Sequence, residues 1–183
     1  MRWTLLSAIV FTACGCASKI YVGPTTGISA EGQVVLQRAL EDVIDGLELD
    51  KFKKKRVRVE LYGGPGVLGV AARRTLIYSL IANRLLKEGA RLEDDHGADC
   101  ILSVSVLAYG VDVVRRDLPP FYHHTSFRGT AALRAVAYVP ATFQILSTVQ
   151  AGSTWVWRER YWFYVLGPYQ SLWKEPAYLA GRP

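Results

Sequence analysis

The chain has 183 residues, of which 50% are hydrophobic, 21% charged and 11% aromatic; that is core material for one domain and excludes a disordered tail. Its 16 glycines and 8 prolines follow no collagen-like period, and no internal repeat of about 20–50 residues is present. Twenty-two Lys and Arg against 16 Asp and Glu leave a net charge of +6, which favours acidic partners such as phospholipid head groups or nucleic acid.

Met1-Arg2 supplies one positive charge, and the apolar run from Trp3 leads to Ala13-Cys14-Gly15-Cys16-Ala17-Ser18. A charged start, about ten apolar residues and small residues at the break describe a secretory signal peptide. The run falls short of the roughly 20 apolar residues that a membrane-spanning helix needs. Because a cysteine follows the small residues, the segment resembles a bacterial lipoprotein signal with its lipobox. That resemblance implies a diacylglyceryl group on the cysteine thiol, cleavage just before it, and an acyl chain such as palmitate on the new amine. Cys16, with Gly15 before it and Ala13 at the third position back, is the preferred site; Cys14, with Phe11 in that third position, is the alternative. Residues 1–15 are then a signal peptide, 16–28 a lipidated tether and 29–183 a single α+β domain. Ala17 stands where an aspartate would retain the protein at the inner membrane, so the resemblance implies an outer-membrane lipoprotein facing the periplasm. With Cys16 lipidated, Cys100 makes no internal disulfide, and its neighbours Ile101 and Leu102 suggest a buried strand position.

Ser29 is a candidate N-cap, and Val35, Leu36, Ala39, Leu40, Val43, Ile44 and Leu47 recur at a spacing that predicts a helix over 30–47. Lys51, Lys53, Lys54, Lys55, Arg56 and Arg58 then crowd six positive charges into eight positions. Such a run suits the phosphates of a head group, with Lys51, Lys53, Lys54 and Lys55 as the contacts, or else forms a solvated linker. Arg56 to Tyr62 alternates, with Val57, Val59 and Leu61 on one face of a half-buried strand. Next, Gly64-Pro65-Gly66-Val67-Leu68-Gly69 fits the G-x-G-x-x-G loop that cradles a dinucleotide pyrophosphate. The polar side chains of the preceding strand, the single strand–helix–strand unit and the export signal oppose that reading and favour a glycine-rich turn. Leu76, Ile77, Leu80, Ile81 and Leu85 mark a second helix over 71–88, with Gly89 as a left-handed cap.

Asp94, Asp95, His96 and Asp99 lack the spacing of a calcium loop. Cys100 to Val114 reads as a long strand, and Leu118 to Gly129, with Pro119-Pro120, as a connection. Within it, His123 and His124 would point to opposite faces if on a strand and could not readily share a metal, a constraint that a loop would relax. Thr130–Val139, Phe143–Val149 and Thr154–Leu166 read as three further strands, and no helix is expected after residue 88. Helix, strand, helix and then strands predict an α+β fold, two helices packed on one face of a mostly antiparallel sheet.

The C-terminal part is aromatic. Alternation puts Trp155 and Trp157 on one face of a strand and Trp162 and Tyr164 on the other, and these four are candidate partner contacts as well as candidate core. No G-x-S-x-G, H-E-x-x-H or comparable signature indicates a catalytic residue, a metal or a cofactor. The basic run lacks the interleaved aromatics of single-strand binders except at Phe52, which argues against nucleic acid.

Lys54-Lys55-Arg56-Val57-Arg58-Val59-Glu60, Gly89-Ala90-Arg91-Leu92, Ala98-Asp99-Cys100-Ile101 and Leu166-Gly167-Pro168-Tyr169 resemble segments of a family of uncharacterised bacterial lipoproteins. More distantly, the order of elements is similar to the small α/β modules of envelope assembly lipoproteins such as the curli secretion channel. The resemblance implies a membrane-anchored envelope protein that acts as a binding or assembly module without catalysis, with an envelope protein or further copies of itself as partner. The alternatives are a nucleotide-binding enzyme using the Gly64–Gly69 loop and an oligomeric pore or ring subunit.

Overall fold

A computed structural model of the chain describes residues 18–22, 29–64, 71–94, 97–163 and 165–176. The signal segment 1–15, both candidate lipidation sites Cys14 and Cys16, positions 65–69 of the glycine-rich loop, Asp95, His96 and Tyr164 lie outside the described residues.

A short strand, β1 (Ser18–Val22), occupies part of the stretch expected to be a tether. Helix α1 (Ala30–Asp45) follows, and the Ser29 hydroxyl accepts a hydrogen bond from the Gly32 amide at 3.2 Å, satisfying one of the donors that a helix start leaves free. After a 3-10 turn at Leu49–Phe52 come β2 (Arg56–Gly63), α2 (Ala71–Lys87) and the two-residue β3 (Arg91–Leu92). Gly89 ends α2 at φ +84°, the left-handed conformation expected of it. Four long strands complete the fold: β4 (Cys100–Leu118), β5 (Tyr122–Tyr138), β6 (Ile145–Trp162) and β7 (Leu166–Lys174).

The sheet runs β3-β2-β4-β5-β6-β7. β2 lies parallel to β3 and β4, and the other pairings are antiparallel. The edge of β4 away from β5 has two occupants. β2 pairs with its first half (Val57 opposite Cys100) and β1 with its second (Ser18 opposite Asp117). Both helices pack on one face, where Leu40, Leu47, Ile77, Ile81 and Leu85 are fully buried together with Leu102, Val104 and Leu133 from the strands. This is the α+β layer that the sequence pattern predicts.

Two features of the long strands prepare the site. The pairing of β4 with β5 shifts between Val106 and Ala108, leaving Leu107 as an extra residue. Before it the even-numbered residues of β4 face the helices; after it the odd-numbered ones do, as Val111 opposite Gly129 shows. The strands also outrun the helix layer. Beyond Val111, Gly129 and Trp155, no residue of β4, β5 or β6 belongs to the core cluster, so this distal half of the sheet is uncovered by α1 and α2. Here the expected Leu118–Gly129 connection is corrected: the turn is confined to Pro119–Phe121 and β5 begins at Tyr122. Likewise the two strands expected over 143–166 are one, β6, because Gly152 continues the ladder opposite Ala132.

Candidate functional site

The lysine run surrounds the 3-10 turn at the proximal end of the sheet, where β2 and β4 begin. Lys51 pairs with Glu48, Arg56 with Asp99 at 2.9 Å and Arg58 with Glu60 at 2.8 Å, so half of the six cations already have carboxylate partners. Lys53 and Lys54 are exposed, Lys55 is half-buried, and the Lys54 amide donates to the Gly89 carbonyl at 2.9 Å. Gly64 follows the last residue of β2, and a cavity of about 510 Å³ is lined by Arg58, Glu60 and Tyr62 of β2 and by Arg74 and Tyr78 of α2.

The aromatic candidates separate. Trp155 packs against the core, and its indole N–H donates to Asp42 Oδ2 at 2.7 Å. The same oxygen accepts from the Ser153 hydroxyl at 3.0 Å and lies 2.9 Å from Lys174 Nζ, which ties α1 to β6 and β7. Burial pushes the Asp42 carboxyl up, but hydrogen bonds from Lys174, Trp155 and Ser153 outweigh it and leave its pKa below the ordinary value. Trp155 is therefore an architectural residue. Trp157 is half-buried, with its indole N–H 3.3 Å from Glu159.

Trp162 is different. It sits at the distal tip, 48% exposed, with its ring 5.0 Å from that of Tyr122. Phe163 packs edge-on against Phe121, and Val165, Leu166 and Tyr169 are also exposed there. Among the described residues, six large apolar or aromatic side chains thus project at one end of the molecule, from the β4–β5 and β6–β7 turns and the strand ends beside them. Large exposed apolar patches are a common mark of contact sites in proteins.

Behind the tip, on the face opposite the helices, the strands form a cradle that the sequence reading missed. Cross-strand pairing sets Arg116 (β4), His124 (β5) and Arg160 (β6) in one row, and Val114, Ser126 and Arg158 in the next. With Asp112, Arg128, Trp173 and Glu175 they line a cavity of about 440 Å³, within the usual ~300–1,000 Å³ of ligand pockets. Arg158 lies over the Trp173 ring at 4.5 Å, and Arg128 pairs with Glu175 at 2.7 Å. His124 is 7% exposed and its Nε2 has no hydrogen-bond partner; Nε of Arg158 and of Arg160 are buried without partners as well. Burial, reinforced by Arg158, Arg116, Arg160 and His123, lowers the His124 pKa, so the ring is neutral at pH 7. The only trace of it in the sequence is the period-two spacing of polar residues His124, Ser126 and Arg128 on β5 and of Arg158 and Arg160 on β6.

The other face carries Asp117, His123 and Thr125, joined through His123 Nδ1 to Asp117 and through Nε2 to the Thr125 hydroxyl at 3.2 Å. The order is that of a carboxylate, a base and a nucleophile. Thr125 is only 5% exposed, however, and lies on the face away from the cradle, so the chain of bonds crosslinks strands. His123 and His124 do point to opposite faces. Among the described residues no three His, Cys, Asp or Glu converge as metal ligands would, and no helix is long and apolar enough to cross a membrane.

The fold and site define an α+β domain whose sheet extends past its helices into an arginine-lined face and an aromatic tip. No family model matches the chain, and no curated protein matches it. Among solved structures, the crystal structure of lipoprotein GNA1162 from Neisseria meningitidis is similar, with 14% identity over 59% of this chain and 83% of that one and a TM-score of 0.39.

Proposed function

We propose that the protein is a lipid-anchored binding module of the bacterial cell envelope, held at the outer membrane through Cys16, and that its aromatic tip lies against the bilayer. The observation that carries this reading is the register of β1. Ser18, two residues after Cys16, pairs with Asp117 at the distal end of β4, just before the turn that carries Phe121 and at the same end of the sheet as Trp162 and Phe163. An acyl chain on Cys16 and the exposed aromatics then meet one surface, as Trp and Tyr do at membrane interfaces. On this reading the membrane lies at the end of β4 away from the lysines. Cys100, next to the lysine turn, and Asp117 are seventeen steps apart on β4, roughly 55 Å of extended strand. The work of such a module is binding, with an envelope protein or a second copy as partner, and no bond chemistry.

Two measurements test it. In a bacterial host the chain should label with an alkyl fatty acid, and Cys16→Ser should abolish the label. Loss with Cys14→Ser alone moves the anchor to that cysteine, and full labelling of both variants refutes the anchor. In vesicles with brominated acyl chains, tryptophan fluorescence of the lipidated chain should be quenched, and Trp162→Phe should remove most of the quenching. Unchanged quenching in that variant would turn the tip away from the bilayer.

A further inference from the structure

We propose that the cradle of Arg116, His124, Arg158 and Arg160 binds the phosphate of an anionic lipid head group. The inference rests on the reading that puts the tip at the bilayer, and it assigns a ligand to the face behind that tip.

Three observations carry it. The wall is electropositive: four arginines face two carboxylates, and one of these, Glu175, is already taken by Arg128. Its donors are built but unused. His124 Nε2, in a side chain 93% buried by the complement of its 7% exposure, and Nε of Arg158 and Arg160 are enclosed without partners. Leaving such atoms unpaired is costly, and a phosphate oxygen supplies the missing acceptor with a charge-assisted bond. A neutral imidazole at His124 can present its Nε2–H as a donor, while guanidinium groups offer planar forks matched to phosphate. Arg158 is further pre-set by stacking over Trp173. The third observation is location. Arg116 and Arg160 stand two positions from Leu118 and Trp162, the ends of their strands, so a head group over the tip reaches the cradle with its acyl chains beside the exposed aromatics.

The lipid source distinguishes this site from one for free phosphate, because the tip adds apolar contact that inorganic phosphate cannot use. Short-chain lipids separate the two without help from the anchor. The full chain in neutral detergent is titrated calorimetrically with dihexanoyl phosphatidic acid, dihexanoyl phosphatidylcholine and inorganic phosphate. Phosphatidic acid should bind at least about tenfold more tightly than either of the others, tenfold being the loss expected for one charged hydrogen bond. The Arg158→Gln/Arg160→Gln variant should lose at least that factor for phosphatidic acid and keep its weak binding of phosphatidylcholine. Arg160→Lys retains the charge without the fork, so a smaller loss there keeps the test sharp if the double variant unfolds. Undiminished binding of phosphatidic acid by both variants overturns the proposal. Inorganic phosphate binding as tightly as phosphatidic acid overturns the lipid assignment. Neither result depends on the tryptophan quenching, which reports on the tip alone.

Discussion

Gly129 is where α1 meets the sheet, and adding one methyl group there tests how the helix layer is seated. A Cβ on Gly129 would fall 2.6 Å from Val35 C and Leu36 N and 2.8 Å from Val35 O. The atoms in the way are backbone of a helix, which no side-chain rotamer can move. The 2.6 Å separation lies about 0.8 Å inside the 3.4 Å at which ordinary contact begins, so α1 must lift by nearly that amount. Lifting it loosens Val35, Leu36, Ala39 and Leu40, all buried beneath it. Overpacking costs ~1–3 kcal/mol in ordinary cores, and a clash against backbone belongs at the upper end, about 3 kcal/mol. Loss of unfolded-state entropy in Gly→Ala returns ~0.4–1 kcal/mol, so the net expectation is about 2 kcal/mol. For a chain of this size that lowers Tm by roughly 4–8 °C. Calorimetric melting and urea titration of Gly129→Ala measure it, with Gly110→Ala as the control, since a Cβ at Gly110 meets nothing within 4 Å. Gly110→Ala should be neutral or slightly stabilising. A Gly129→Ala variant within ~0.5 kcal/mol of the wild type would refute the close approach of α1 to β5.

Asp42→Ala leaves the Trp155 indole, the Ser153 hydroxyl and Lys174 without their shared acceptor and should cost ~2–4 kcal/mol by urea titration at pH 7. Because the folded pKa of Asp42 lies below its unfolded value near 3.8, the wild type should hold this advantage above pH 4 and lose it as pH falls through the folded pKa; a pH-independent gap would contradict the assignment. Cys100 is fully buried and burial raises its thiol pKa, so it should label with a maleimide only at the rate of unfolding, and fast labelling of native protein would overturn its placement. Replacing Lys51, Lys53, Lys54 and Lys55 together by Gln should change association of the lipidated chain with anionic vesicles by less than about twofold, because the ~8 Å Debye length is far shorter than the sheet. A large loss would place the membrane at the lysine end.

Local pattern made the proximal half readable. The helical stripe from Val35 to Ile44, the Ser29 cap, the Gly89 cap and the buried alternation of β2 all depend on neighbours in sequence, and each took the form its spacing predicts. The distal half was harder because its strands are polar on both faces. Arg115 and Arg116, or His123 and His124, carry no apolar alternation, and Gly129 and Gly152 read as breaks when one accommodates a helix and the other continues a ladder. The cradle itself depends on cross-strand register among β4, β5, β6 and β7, a quantity no local window contains. Trp155 was legible as an aromatic on a strand, but its service to Asp42 spans 113 positions of the chain.

The extra residue at Leu107 acts as a phase shifter. A strand writes its two faces as odd and even numbers, and one unpaired residue exchanges them for everything downstream on β4. The core half and the arginine half of that strand are therefore spelled in opposite parity. Between Leu107 and Arg115, an insertion of one residue would rotate Arg116 out of the cradle and put Arg115 opposite His124 in its place, whereas a deletion of one would put Asp117 there. A change of two would preserve the faces and merely lengthen or shorten the reach of the tip.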